Sequence, residues 1–349
     1  MLRWLLLCYL VLPLPALAQH AIADLVRTAH EAEHFNGTVL AVRQGRIVAQ
    51  VQQGQANLQF AVPITATTRF PIASMTKLFT AVLTLQLVER AQLQLDEQAS
   101  KYLADLPIAC REITIRQLLT HTSGLRNEPV RAYQAPYSTK AFVRHFVRKD
   151  STQQAGTFNY NNVDYILLTA LLEAVTKQSF TALVQARILT PLQMRNTGMV
   201  TEARVIPHLA YGYHNYSFGK GRATDTLRND RRYLSNYAGA GALYSTTADL
   251  YKLVQGLQAH QLLTAATTAA YLLKPQQTTF IDYARGYSTI GFFYNDKTLA
   301  TPVLERRGSI DGFNSVLLTS LDFSKMLLIL TNTDQADLEK LGDQLYAAF

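Results

Sequence analysis

A serine and a lysine three residues apart open the stretch "FPIASMTKLFTAVLTLQLVERAQL" at residues 70–93. Residues at that spacing share a helical face, so the Ser74 hydroxyl can meet the Lys77 amine. Pro71 precedes the run, and Met75, Leu78, Phe79, Val82, Leu83, Leu85 and Val88 make it apolar nearly all round, the pattern of a buried helix. A lysine in the first turn of such a helix faces the positive end of the dipole and loses water. Both effects lower its pKa, as a general base requires. The same helix start offers the Ser74 backbone N–H to a developing oxyanion. A second Ser-x-x-Lys, Ser217 to Lys220, lies in the Gly-rich polar loop "YGYHNYSFGKG" with no apolar helix behind it, and reads as incidental.

Tyr160-Asn161-Asn162 directly precedes Val163, Ile166, Leu167, Ala170, Leu171, Ala174 and Val175, an apolar stripe at helical spacing. The triplet therefore sits on a helix-entry turn. Tyr160 there can share the Ser74 proton with Lys77, and the Asn162 amide can bond a substrate amide or hold Lys77. The plainer alternative makes Asn162 an N-cap and Tyr160 a packed aromatic. A similar triplet, Tyr213-His214-Asn215, shows how readily the pattern arises. Beside a serine that starts a buried helix, the chemical reading is preferred.

His30-Glu31-Ala32-Glu33-His34 is a literal H-E-x-x-H, the spacing of a helical zinc site. It lies on a short helix near the start of the chain, and His121, His145, His208, His214 and His260 form no ligand cluster in sequence. Helix-surface polarity is the preferred reading, and no metal is expected. No glycine-rich phosphate loop follows a strand, so no nucleotide cofactor is expected either.

The elements that must position these residues are unevenly spread. Ile22, Leu25, Val26 and Ala29 predict a helix to about His34, and "TVLAVRQGRIVAQVQQG" predicts a hairpin about Gln44-Gly45. Helical patterns dominate from about 75 to 200. Strand-like runs return at "STIGFFY", "PVLERRG", "FNSVLLTS" and "MLLILTN", and residues 336–347 look helical. This predicts an α+β fold: an antiparallel sheet built from N- and C-terminal segments, flanked by helices, with a mostly helical inserted region. The sheet part is expected over about 19–75 and 240–349, the helical part over about 76–239, as one domain. "GAGALYSTTADL" supplies Gly239 and Gly241 for a tight path, then Thr246 and Asp249 as a capping box.

Arg3, the apolar run to Leu12, and Ala16-Leu17-Ala18 have the order of a secretory signal peptide, predicting cleavage after Ala18 and a periplasmic or extracellular location. The mature chain is expected to have no membrane span and one thiol, Cys110, so no internal disulfide. The net charge of +8, much of it in local clusters such as Arg228, Arg231 and Arg232, lacks the runs and aromatic interleaving of a nucleic-acid surface.

Together these residues resemble the serine β-lactamase and penicillin-binding-protein superfamily, whose signatures include Ser-x-x-Lys. The branch that it is most similar to is the class C β-lactamase-like one, with D,D-peptidases and esterases, which uses Tyr-x-Asn as second motif. The similarity runs through "FPIASMTKLFTA", "LLTHTSGL" at 118–125, "NYNN" at 159–162, "GAGALYSTTADL" at 239–250 and "GSIDGFNS" at 308–315. It implies Ser74 as acylated nucleophile, Lys77 and Tyr160 handling its proton, and Asn162 contacting substrate. The family's third motif, Lys-x-Gly or His-x-Gly, falls at Arg306-Arg307-Gly308, and the N–H of Ser309 becomes the second oxyanion donor.

Arginine in place of lysine or histidine keeps the charge but gives up no proton near neutrality. Strand alternation sends Arg306 and Gly308 to one face, where Arg306 is expected to attract a substrate carboxylate and Gly308 to let substrate approach, and sends Arg307 to the other. The expected activity is an exported serine hydrolase cleaving an amide or ester, a D-Ala-type peptide or small carboxylic ester. The substrate is then a small molecule or peptide, peptidoglycan fragments included. β-Lactam hydrolysis ranks second, and a non-catalytic cell-wall-binding sensor of the same fold is the reading from another class.

Overall fold

The computed structural model describes residues 14–214, 227–229 and 232–349. An eight-stranded antiparallel sheet organises the chain. It comprises β1 (Gly37–Arg43), β2 (Arg46–Gln53), β3 (Phe280–Ile281), β4 (Gly286–Ser288), β5 (Phe293–Asn295), β6 (Val303–Ile310), β7 (Phe313–Ser320) and β8 (Lys325–Thr331), in the order β2-β1-β8-β7-β6-β5-β4-β3. The N-terminal hairpin joins the C-terminal strands through β1 and β8, with Gly37 opposite Thr331 and Arg43 opposite Lys325. The α+β class expected from the sequence is therefore the observed one.

Both sheet faces are covered, which explains why β8 reads as an unbroken apolar run. Leu327 and Ile329 pack with Ile22, Val26, Leu341 and Leu345 under α1 (Leu14–Glu33) and α6 (Leu338–Ala347). Leu328 and Leu330 face the larger core, with Leu78 and Phe79 of α2 (Thr76–Glu89) and Leu250 and Leu253 of α5 (Thr247–Gln258). Two further helices of that core matter for the site: α3 (Ile115–Leu119) and α4 (Asn162–Thr176). Thr246 caps α5 by accepting from the Asp249 amide, but the capping box expected from sequence is not closed: the Asp249 carboxylate accepts from the Asn196 amide, the Thr197 hydroxyl and Lys252 instead.

Several local expectations change. The helix expected from Ile22 begins at Leu14 and ends at Glu33, so His34, in a left-handed conformation (φ 56°), lies beyond it. "STIGFFY" is two short strands rather than one, because Thr289 to Phe292 makes a turn closed by the Thr289 hydroxyl. The Ser217 to Lys220 copy, Asn215 and Arg231 lie outside the described residues. Among those described, no single helix is long and apolar enough to cross a membrane.

Candidate active site

Ser74 occupies a single 3-10 turn, Ala73–Met75, that leads into α2. Ala73 holds φ 47°, a strained value for a residue with a Cβ and one that single sequences do not announce. The turn is clamped from two sides. The Ile72 N–H donates to Leu243 O at 2.9 Å, and the Ser315 hydroxyl of β7 donates to Ile72 O at 2.8 Å. Gly308 of β6 presses on the same turn: a Cβ there would stand 2.4 Å from Ile72 O and 2.7 Å from Ser74 N. The missing side chain thus admits the protein's own backbone, whereas the sequence reading reserved that space for substrate.

Lys77 is buried, and its Nζ donates to Ser74 Oγ (3.1 Å), Asn162 Oδ1 (2.7 Å) and Ala240 O (2.8 Å). Three acceptors match the three protons of an ammonium. Burial pulls the lysine pKa down and the Arg306 charge adds to this, while Tyr160 opposes it. Tyr160 is half-buried, with Lys77 Nζ 4.9 Å from its ring centroid. Burial pushes its phenol up, but the charges of Lys77 and Arg306 and hydrogen bonds to Lys77 and Ser74 outweigh this and bring it to about 8.

The helix cap falls on Asn161, whose side chain accepts from the Val163 amide at 2.7 Å, and not on Asn162. Asn162 is free to hold Lys77. Its Nδ2 donates to Glu128 Oε1 (2.9 Å), which also accepts from the Tyr133 hydroxyl (2.7 Å). Of the two uses that the sequence left open for the Asn162 amide, the structure displays the contact to Lys77.

Arg306 is 2% exposed and lies on the Ser74 face of β6. Its Nε and Nη2 donate to Ser74 O at 3.0 and 2.8 Å, and Nη2 reaches Tyr160 Oη at 3.4 Å. Two of its nitrogens are therefore engaged by protein acceptors at the reaction centre. Arg307 points to the opposite face and pairs with buried Glu305.

The register of β6 also orients Ser309. Ile310 and Phe313 flank a two-residue turn in which Asp311 (φ 47°) and Gly312 (φ 86°) are both left-handed, the geometry of a tight hairpin. That closing pair exchanges both backbone hydrogen bonds, so the next pair, Ser309 and Asn314, does not. The Ser309 N–H accordingly points away from β7. On that side β5 pairs only with Val303 to Glu305, and beyond Glu305 no described strand continues the sheet. The outer edge of β6 beyond Glu305 thus runs beside Ser74 along a cleft of about 730 Å³ lined by Ser74, Tyr160, Tyr283, Phe293, Arg306 and Ser309.

Behind Tyr160 lies a buried polar couple that sequence reasoning missed. The His121 ring sits 4.5 Å from the Tyr160 ring. Its Nδ1 accepts from the Asn161 amide at 3.3 Å and faces Asp164 Oδ2 at 3.1 Å, while the Ser123 hydroxyl donates to Asp164 Oδ1 at 2.5 Å. An accepting Nδ1 is compatible with that carboxyl oxygen only if the oxygen carries the proton. The electrostatics agree: burial raises the Asp164 carboxyl well above its usual range, and burial with the charges of Lys77 and Arg306 lowers His121 well below its own. His121 and Ser123 lie inside "LLTHTSGL", but nothing in that string reveals their partner Asp164, 43 and 41 residues on.

His30, by contrast, uses Nδ1 on Phe35 O at 2.7 Å, and His34 has left the helix, so the pair does not share one helix face.

A family model described as Beta-lactamase matches residues 22–348. The chain belongs to the β-lactamase family. It is 26% identical over 334 residues to penicillin-binding protein 4* of Bacillus subtilis (90% of this chain, 72% of that one). It is also 26% identical over 293 residues to the teichoic acid D-alanine hydrolase of Staphylococcus aureus (79% and 71%). The D-amino acid amidase structure from Ochrobactrum anthropi SV3 shares the fold, with TM-score 0.80, 23% identity and coverage of 95% and 98%. The chain is accordingly a serine hydrolase of this family, as the resemblance implied.

Proposed function

We propose that the protein cleaves an amide or ester through an acyl-enzyme on Ser74, with a D-Ala-type peptide or small D-alanyl ester as acyl donor. The observation that carries this reading is the contact of Lys77 Nζ with both Ser74 Oγ and Asn162 Oδ1, beside a tyrosine brought to about 8. In the forward step the ionised Tyr160 takes the Ser74 proton across Lys77, and Oγ attacks the carbonyl carbon. The N–H groups of Ser74 and Ser309 receive the oxyanion. Tyr160 then returns the proton to the leaving amine or alcohol, and water repeats the sequence to release the acid. The edge of β6 beyond Glu305, where no described strand continues the sheet, supports an extended donor lying along the cleft.

Arg306 serves this chemistry as a fixed cation: it favours the phenolate and anchors the nucleophile's turn. The D-alanine assignment leans on the teichoic acid D-alanine hydrolase likeness. Export with cleavage after Ala18 is part of the same reading, and it would spare the packed residues from Ile22 onward.

The test is mass spectrometry after a fluorophosphonate or fluorescent penicillin, together with turnover of D-Ala-D-Ala peptides, p-nitrophenyl esters and nitrocefin. An adduct on Ser74 with peptide or ester turnover is expected. Labelling at another residue would sink the mechanism, and fast nitrocefin turnover with inert peptides and esters would move the substrate to β-lactams.

A further inference from the structure

A second cavity, of about 680 Å³, adjoins the reaction cleft, and Tyr283 lines both. Its walls are the segment 276–283 and the loop 156–158. Their chemistry differs from that of the cleft. Tyr283 stands 68% exposed at the boundary. Phe158, 6.4 Å from it between ring centroids, is pinned from behind by His121 and Phe293 at 5.9 and 6.2 Å. The Gln276 Nε2 donates to Ala270 O and Lys274 O, and the Gln277 Nε2 donates to Thr120 O. Each amide therefore turns its carbonyl oxygen away from those backbone partners. Thr278 and Thr279 are exposed, and Asp282 is the one charged residue among those lining this cavity.

We propose that this cavity binds a neutral sugar unit of a polymeric acyl donor, seated on the Tyr283 ring and hydrogen-bonded by the Gln and Thr side chains. A pyranose presents polarised C–H groups on its faces and hydroxyls around its rim. The first suit the negative face of an aromatic ring, and the second need fixed amide and hydroxyl partners. A polyanion is disfavoured, because the wall carries a carboxylate and no lysine or arginine. Strand addition by a peptide is disfavoured too, since the sheet edge at this point, β3, is two residues long. Because Tyr283 borders both spaces, a sugar bound there sets the acyl branch of the same polymer toward Ser74. This placement rests on the acyl-enzyme reading, whereas sugar binding itself does not.

The experiment is a titration of the full chain with N-acetylglucosamine tetramer, followed by calorimetry or ligand-observed NMR, with glycerol phosphate polymer as the anionic control. Wild type and Ser74→Ala are expected to bind the sugar alike, with Kd on the order of 1 mM. Tyr283→Ala and, separately, Thr279→Asp should each weaken binding about tenfold, the second variant being an exposed change that leaves the fold intact. No saturable binding, binding unchanged by both variants, or binding of the anionic polymer alone would overturn the proposal. Sugar binding without Ser74 acylation would instead remove the acyl-enzyme reading and leave the sugar site standing.

Discussion

Arg306 grips the nucleophile by its own carbonyl: Nε and Nη2 converge on Ser74 O at 3.0 and 2.8 Å, and the same Nη2 lies 3.4 Å from the Tyr160 hydroxyl. One fixed cation thereby sets both the turn that carries the serine and the acidity of the phenol. Lysine, with one nitrogen, cannot reproduce the paired grip of Nε and Nη2 on the Ser74 carbonyl.

Arg306→Ala is therefore expected to lower kcat/KM on the order of 10²-fold, the scale of losing a positioned proton-transfer group. Neutral p-nitrophenyl esters should suffer as much as substrates bearing a carboxylate, and the pH dependence of acylation should move to higher pH as Tyr160 loses a neighbouring charge. A loss confined to carboxylate-bearing substrates would return Arg306 to the substrate-binding role read from sequence. Arg307→Ala, on the opposite face, should show itself instead as lower stability in urea, because it strands buried Glu305.

The acylation rate should rise with pH through about 8, where the Tyr160 phenol titrates. Below that value the phenol keeps its proton and cannot take the one on Ser74, so activity falls as pH falls. Single-turnover acylation by a p-nitrophenyl ester between pH 6 and pH 10 (roughly two units either side) reads this limb directly. Tyr160→Phe should abolish it and leave a slow, pH-flat remainder. A Tyr160→Phe enzyme with the wild-type profile would assign the titration to another group.

How much of this was legible in the sequence follows from the range over which each interaction acts. Ser74 and Lys77 are three residues apart on one buried helix, so spacing alone brings them together. The face alternation of Arg306 and Arg307 is likewise local, fixed by the period of two along β6. What Arg306 touches depends on a turn 232 residues away, and strand alternation does not carry that information. The Asn161 cap displaced Asn162 by one position, within the usual uncertainty of helix ends. Glu128, His121 and Asp164 are joined only by tertiary packing, and an isolated buried acid looks in sequence like any helix-surface carboxylate.

Asp164 makes a separate prediction because burial raises its carboxyl well above the usual range. Its folded pKa is raised above the unfolded value of 3.8, so the native state keeps a proton that the unfolded state releases. The wild type therefore loses stability as pH rises from about 4 toward that raised value. Asp164→Asn keeps the shape without the proton, so its stability relative to wild type should grow over the same range. The depressed His121 pKa contributes the opposite slope, lost as pH falls below 6.5, and is largely cancelled in this comparison. Asp164→Ala should cost about 1–3 kcal/mol, the penalty of leaving the His121 and Ser123 partners unsatisfied. Urea titrations of the three proteins at pH 5 and pH 8 (roughly the ends of the accessible window) measure both effects. An Asp164→Asn variant that is less stable at the higher pH would mean that the carboxyl is ionised.

Gly308 is the most sensitive position next to the nucleophile, because no room exists for even a methyl group. A Cβ would meet Ile72 O at 2.4 Å and Ser74 N at 2.7 Å, both backbone atoms with no rotamer to escape through. Gly308→Ala must therefore push β6 and the Ser74 turn apart, moving the two N–H groups proposed to receive the oxyanion. The expected loss in kcat/KM is on the order of 10²-fold, comparable to deleting one such donor. Overpacking should add a destabilisation of about 1–3 kcal/mol. The backbone conformation itself is not the obstacle, since Gly308 lies in a regular strand, so the effect is purely one of contact. Kinetics on a small neutral ester, whose acyl group makes no demand on the space over Gly308, separates this from the reading in which the glycine admits substrate. Full activity on that ester, with loss confined to bulky donors, would restore the earlier role.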